Sequence, residues 1–389
     1  MKALGVHRAV AGVFLAFGVG IGLWGGASGA ILARAGVDPA TFGVMLTAYT
    51  AAYLTAMSAG GALAHRFGVR SVLGVSALLF GALLCGLLDA WSASAVASLL
   101  IASGFLGGVV DVTMNAEGAR IERRLGKPIL ARLHAAASAG MAGGAILGSL
   151  VVSSRAPWAA GLIAAAPLVA AGLAYGRAAG AGGEAPLTAA SGAPARGLSF
   201  APALIGLGLV IGASIAAETA ALLWSSVLLR DEAPQLAAVA GLGAGFFALC
   251  QAVLRFNADV IRLIVSDRRI VVASFALAAL GFALVAADAG FRVSVAGFAM
   301  IGCGTGAIVP CSFALAARQS PGRPAVGLAS ASLFSALTRL PAPLATGAIA
   351  QHFSLAQAFG AFAVALGAAG VLMALFGPSD GGASFPAKA

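Results

Sequence analysis

Residues 93–117 read ASAVASLLIASGFLGGVVDVTMNAE. A bilayer core takes about 20 predominantly apolar residues per helix, and this stretch supplies them with one acid, Asp111, set among them and a second, Glu117, at its end. A carboxylate at mid-membrane costs about 2.5–3.5 kcal/mol on insertion scales. A helix that keeps one there is expected to turn it toward the inside of a bundle. Asn115 follows Asp111 at i+4, and Gly104 and Gly108 continue the same stripe, where missing side chains let a neighbouring helix come close. Two readings are open at this point: a protonatable site facing a cavity, or a fixed polar clamp between two helices.

The rest of the chain has the same character. Of 389 residues, 60% are hydrophobic and 9% are charged, whereas soluble proteins carry about 25% charged residues. This composition excludes a soluble enzyme, a disordered chain and a secreted disulfide scaffold, and fits a chain whose solvent is lipid. Apolar runs predict twelve spans, at 9–32, 41–64, 71–89, 93–117, 130–152, 157–177, 200–227, 236–257, 270–288, 292–316, 326–349 and 354–376. The first run is too long for the apolar core of a signal peptide and reads as an uncleaved helix. The fold class expected is an all-α membrane protein of twelve transmembrane helices.

Twelve spans place both termini on one side. Of the 23 Lys and Arg residues, Arg34, Arg155, Arg230 and Arg292 fall in loops opposite the termini, Arg255 and Arg339 fall within spans, and the other 17 share the side of the termini. The positive-inside rule then puts both termini in the cytoplasm. The net charge of +10 is thus a matter of topology, and no nucleic-acid partner is expected. Residues 178–198, AAGAGGEAPLTAASGAPARGL, read as a flexible linker. They divide the chain into two six-span bundles, 1–177 and 199–389. The halves repeat: Gly104, Gly107 and Gly108 answer to Gly302, Gly304 and Gly306, and Ser138 to Ser335. Such duplication is typical of secondary transporters.

Six plus six spans, a central linker and inner termini resemble the major facilitator superfamily (MFS), which implies two pseudo-symmetric bundles, alternating access and a monomer. The loop Gly61-Ala-Leu-Ala-His65-Arg66-Phe-Gly68-Val-Arg70 resembles the superfamily's GxxxDRxGxR loop, with His65 in place of the acid; by that resemblance Gly61, Arg66, Gly68 and Arg70 are gating residues. A finer resemblance is to the fucose:proton symporter branch and the YbjJ-like group of bacterial inner-membrane transporters. It is carried by Gly104 to Asn115, by Arg132-Leu-His134-Ala-Ala-Ala-Ser138-Ala-Gly140, and by Glu218-Thr-Ala-Ala-Leu-Leu-Trp224-Ser-Ser-Val-Leu-Leu-Arg230-Asp231. In those symporters the acid four residues before the Asn couples to protons, and Asp111 stands there. Span one carries no acid, in departure from that pattern.

The remaining polar residues inside spans complete the candidate site. His134, with Ser138 at i+4, is either a proton partner of Asp111 or a satisfied interfacial histidine. Glu218 and Arg339, in span seven and in SALTRLPAP of span eleven, are either a solute-binding pair or a permanent ion pair holding two helices. Pro341 and Pro343 are expected to break span eleven just beyond Arg339. Gln251 is expected to line the cavity, Arg255–Asp259 to form an inner-gate ion pair, and Glu117 a solvated ion pair with Arg120 and Arg123. Trp24 and Trp224 are either interfacial anchors or stacking surfaces for a sugar ring. Asp111, His134 and Glu218 are thus the proton-coupling candidates, and Asn115, Ser138, Gln251, Arg339, Trp24 and Trp224 the substrate-binding ones.

Cys85, Cys250, Cys303 and Cys311 lie in apolar runs without a CxxC, and His7, His65, His134 and His352 make no metal-binding pattern. No Walker A and no GxSxG motif appears, so neither a cofactor, a metal nor an enzyme activity is expected. The expected function is secondary transport of a small polar solute, sugar-like or a hydroxylated or anionic metabolite, coupled to protons. The alternatives are an exporter of amphipathic or toxic compounds and a non-transporting membrane sensor.

Overall fold

The computed structural model describes residues 2–127, 129–152, 162, 166, 168–170 and 197–378. Among these, every regular element is helical: α1 (Lys2–Ala35), α2 (Pro39–Phe67), α3 (Val69–Leu88), α4 (Ala93–Leu125), α5 (Leu130–Val152), α6 (Pro202–Glu232), a 3₁₀ turn (Pro234–Val239), α7 (Leu242–Ile264), α8 (Asp267–Ala286), α9 (Phe291–Thr305), α10 (Ile308–Arg318), α11 (Pro324–Arg339), α12 (Ala342–His352) and α13 (Leu355–Phe376). Together α9 and α10 make one crossing and α11 and α12 another, so the described residues contain 11 candidate membrane spans. The expected sixth span, 157–177, and the linker, 178–198, fall outside the described residues apart from a few isolated positions.

Local chemistry fixes the ends. Asp38 caps α2 by accepting from the Thr41 N–H, with Pro39 at the first helical position. Ser92 and Ser354 cap α4 and α13 in the same way. Gly68 turns the chain from α2 into α3 at φ +80°, a region that a side chain disfavours. The expected break of span eleven falls at Leu340–Pro341. The break of span ten at Gly306–Ala307 was not expected, although Pro310 marks it: a proline has no N–H to give to the carbonyl four residues back, here that of Gly306, and its ring crowds that carbonyl.

Helix pairing shows the repeat directly. In the first half α1 packs along α5 and α2 along α4; in the second half α6 packs along α11 and α7 along α9. A methyl at Gly104 would stand 2.7 Å from the Tyr49 carbonyl oxygen, and one at Gly108 2.5 Å from that of Tyr53. At the corresponding positions of the second half, Gly302 presses on the backbone of Phe247 and Gly306 lies against Gln251 and Leu254. These glycines let the helices touch backbone to backbone, where dispersion and not hydrophobic transfer supplies the attraction in lipid.

Contacts between the halves crowd toward the end remote from the described N-terminus. There α1 meets α6, α2 meets α12, and α5 meets α7. Ser28 and Ser226 share a hydrogen bond of 2.7 Å, Ser28 Oγ reaches the Leu223 carbonyl at 2.8 Å, and Ser226 Oγ reaches the Gly25 carbonyl at 2.8 Å. Phe42 of α2 packs on Trp224 of α6 with ring centroids 4.6 Å apart. Toward the other end, α4 and α5 are separated from α7 and α10 by a cavity of about 430 Å³.

Candidate functional site: a charged cavity between the halves

A central cavity of about 230 Å³ lies where α1, α2, α4 and α5 face α6, α7 and the break between α11 and α12. Its exposed wall is mostly apolar, with Phe17, Ile21, Met114, Met141 and Phe247 among the lining side chains, and its polar lining includes four charged residues, Asp111, Glu218, Arg255 and Arg339. Aromatic walls with sparse polar groups are the usual make-up of a small-molecule site.

Asp111 enters the cavity from α4. Asn115 Nδ2 donates to its Oδ1 at 2.9 Å and to its backbone carbonyl at 2.9 Å, which fixes the carboxylate from one helical turn away. The Tyr53 hydroxyl is its second partner, and Arg339 acts on it electrostatically. Both Tyr49 and Tyr53 of α2 line the cavity, and neither was expected from the sequence. Their i, i+4 spacing at mid-span, beside buried Thr50, was the signal that could have found them.

Arg339 ends α11 at the helix break and lines the same cavity. Among the described residues its guanidinium has no hydrogen bond and no ion pair; it shares the cavity lining with Asp111, Tyr49 and Tyr53 and acts on them electrostatically. The expected Glu218–Arg339 pair is therefore not formed. Glu218 Oε2 instead accepts from Arg255 Nη2 at 3.0 Å. Arg255 Nη1 also donates to Ser138 Oγ at 3.0 Å, Ser138 Oγ donates to Gln251 Oε1 at 3.0 Å, and Gln251 Nε2 donates to Thr305 Oγ1 at 3.4 Å. This chain ties α5 of the first half to α6, α7 and α9 of the second. The Arg255–Asp259 pair expected from i, i+4 spacing is absent because Arg255 turns inward to Glu218, while Asp259 lines the larger cavity.

The remaining expected residues are placed as follows. His134 borders both cavities, stacks edge-on against Phe14 with centroids 5.5 Å apart, and makes no hydrogen bond to Asp111 among the described residues. Asn115 lines the larger cavity rather than the central one. Ser138 is fully buried behind the central wall, where it bridges Gln251 and Arg255. Trp24 lines the cavity, and both Trp24 and Trp224 are buried inside the protein against the Phe42 ring. Glu117 was expected to be solvated, yet it is 1% exposed and paired with Arg120. The cause is that α4 continues to Leu125, so Glu117 lies two turns inside the helix.

In the last two turns of α2, Arg66 is exposed over the Phe67 ring at 5.2 Å, and Gly61 has open space where a Cβ would stand. The second half carries its charges differently: Asp267 accepts from Arg262 at 2.7 Å and from Arg318 at 2.5 Å. This cluster joins α7, α8 and α10 and was not singled out from the sequence. The described residues contain no group of three or more side chains that could hold a metal ion.

The architecture matches solved transporters. The nucleoside transporter NupG superposes with a TM-score of 0.72 at 15% identity, covering 96% of this chain and 99% of that one. The human organic anion transporter MFSD10 superposes with a TM-score of 0.63 at 17% identity, covering 95% and 99%. The fold is that of the major facilitator superfamily. No protein-family model matches the sequence. An uncharacterized MFS-type transporter of Yersinia pestis is 26% identical over 363 residues, 91% of both chains. An uncharacterized transporter of Sinorhizobium fredii is 27% identical over 372 residues, 95% of this chain and 97% of the relative. The chain thus shares the fold of these transporters, carries 11 candidate membrane spans among its described residues, and is similar over more than nine tenths of its length to two relatives named as transporters.

Proposed function

We propose that the chain is a proton-coupled secondary transporter of a small polar solute that carries an anionic group. The observation that carries this reading is the pair of opposite charges, Asp111 on α4 and Arg339 on α11, which face one cavity from different halves without bonding to each other. An unpaired guanidinium in a largely apolar cavity is a strong site for a carboxylate or a similar anion. While Asp111 is ionised it competes electrostatically with that anion for Arg339. Protonation of Asp111 removes the competition, so proton and solute favour each other's binding. The coupling is reciprocal by linkage, and a solute that bridges the halves stabilises their closure around it.

The loop-charge bias supports a bacterial inner-membrane location with both termini in the cytoplasm. In that orientation the periplasmic end is sealed by the Ser28–Ser226 cluster and the cavities open inward. Two bundles, 1–177 and 199–389, would move against each other about the linker 178–198. MFSD10 is named an organic anion transporter, in keeping with an anionic solute. The test is reconstitution into liposomes with an interior pH dye and a panel of organic acids and their neutral amides. An acid that moves protons with it in the intact protein, and fails to do so in Arg339→Gln, is the expected result. Equal transport of acid and amide, or flux untouched by Arg339→Gln, would refute the reading.

A further inference from the structure

Beyond the charges, two polar atoms of the cavity residues lack a partner. Glu218 Oε1 and Trp24 Nε1 are both buried and both without a hydrogen bond among the described residues, and both side chains line the central cavity. One is an acceptor and the other a donor. They sit on facing helices: Gly25 of α1 packs on Leu222 of α6, so Trp24 and Glu218 approach the cavity from either side of that contact. A buried polar group without a partner carries a desolvation cost that a ligand can relieve. The terminal torsion of a glutamate is broad, so a small rotation turns Oε1 to the cavity while Oε2 keeps its 3.0 Å bond to Arg255.

We infer that the solute is an organic monoanion that also carries a neutral O–H or N–H donor, with its anionic group on Arg339 and its donor on Glu218. This rests on the anion-binding reading above and adds the second point of attachment. The donor is neutral because Arg255 already balances the charge of Glu218; an ammonium would put a second cation against the same carboxylate. The indole N–H of Trp24 gives the solute's acceptor lone pairs a further partner, and the apolar remainder of the wall, Phe17 and Phe247 among it, takes the carbon skeleton. A plain carboxylate would satisfy Arg339 and leave Glu218 Oε1 unpaired. A site built to bond a hydroxyl discriminates strongly against the analogue that lacks it.

The test uses purified full-length protein and calorimetric or thermal-shift titration with matched probes: benzoate, 4-hydroxybenzoate, 4-methoxybenzoate and 4-hydroxybenzamide, and the same four-way set built on cyclohexanecarboxylate. The hydroxy acid of at least one set is expected to bind roughly tenfold or more tightly than its ether and its unsubstituted acid. Glu218→Gln turns an amide N–H to the cavity and is expected to abolish or invert the preference for hydroxyl over ether. Trp24→Phe is expected to weaken the hydroxy acid severalfold and leaves the Glu218–Arg255 pair in place, so it serves if Glu218→Gln fails to fold. Equal binding of hydroxy acid, ether and plain acid, or a hydroxyl preference that survives Glu218→Gln, overturns the proposal while the anion reading stands. Binding of the amide as tightly as the acid removes the anion reading as well, and no binding in either set overturns the proposal.

Discussion

Removing the Ser226 hydroxyl should open the sealed end. Ser226 Oγ reaches the Gly25 carbonyl at 2.8 Å and Ser28 Oγ at 2.7 Å, and accepts from the Gly29 N–H at 3.2 Å. All three partners belong to α1, so every one of these bonds joins the two halves. Interhelical hydrogen bonds in membranes are worth about 0.6 kcal/mol each on average, and buried ones in proteins about 1 kcal/mol. One hydroxyl proton is shared among the acceptors, so Ser226→Ala should cost the sealed state about 2 kcal/mol. Ser28 keeps its own bonds to Gly25 and Leu223, which limits the damage to the seam. The ratio of sealed to opened molecules should then fall about 30-fold, at 1.4 kcal/mol per factor of ten. Spin labels on the exposed positions Ser94 and Gln235, one from each half at the sealed end, would report it in a background with the cysteines replaced. Double electron–electron resonance should show a longer-distance population in Ser226→Ala that is minor in the parent. Identical distance distributions, with both proteins folded, would mean that this cluster does not hold the halves together.

Other substitutions test the packing and the charge clusters. Gly104→Val would drive a side chain into the Tyr49 carbonyl, 2.7 Å from the Cβ position. It should cost about 1–3 kcal/mol and lower the melting temperature in detergent. Gly61→Ala, with nothing within 4 Å and a helical backbone, should be neutral or stabilising by about 0.5–1 kcal/mol, whereas Gly68→Ala meets φ +80° and should lower the melting temperature. Asp267→Asn leaves Arg262 and Arg318 facing each other without their carboxylate; both arginines are about a third exposed, so a loss of about 1–3 kcal/mol is expected, read as a lower urea midpoint for the second half.

The spans were legible because lipid imposes a length and composition that nothing else in the chain imitates; α5 begins at Leu130, where the apolar run 130–152 does. The Asp111–Asn115 contact was legible because i, i+4 spacing is local geometry. Partner choice across the bundle was not. Arg255 is 37 residues from Glu218 and 117 from Ser138, and its local neighbour Asp259 was the natural guess. Only the antiparallel docking of α7 on α5 decides between them. Glu117 was misplaced for a related reason: charge signals a span's exit from lipid, but the helix itself runs on to Leu125 and keeps Glu117 inside. Proline announces both breaks: Pro341 stands at one, and Pro310, four residues after Gly306, accounts for the other, though its effect falls a full turn before the proline itself.

In the proposed mechanism Asp111 carries the proton whose binding makes room for the anion at Arg339. Asp111→Asn keeps the hydrogen-bonding shape and removes the titration. In liposomes loaded with a transported acid, the variant should retain exchange of labelled for unlabelled solute while losing accumulation driven by a pH gradient. Full gradient-driven accumulation by Asp111→Asn would contradict the account.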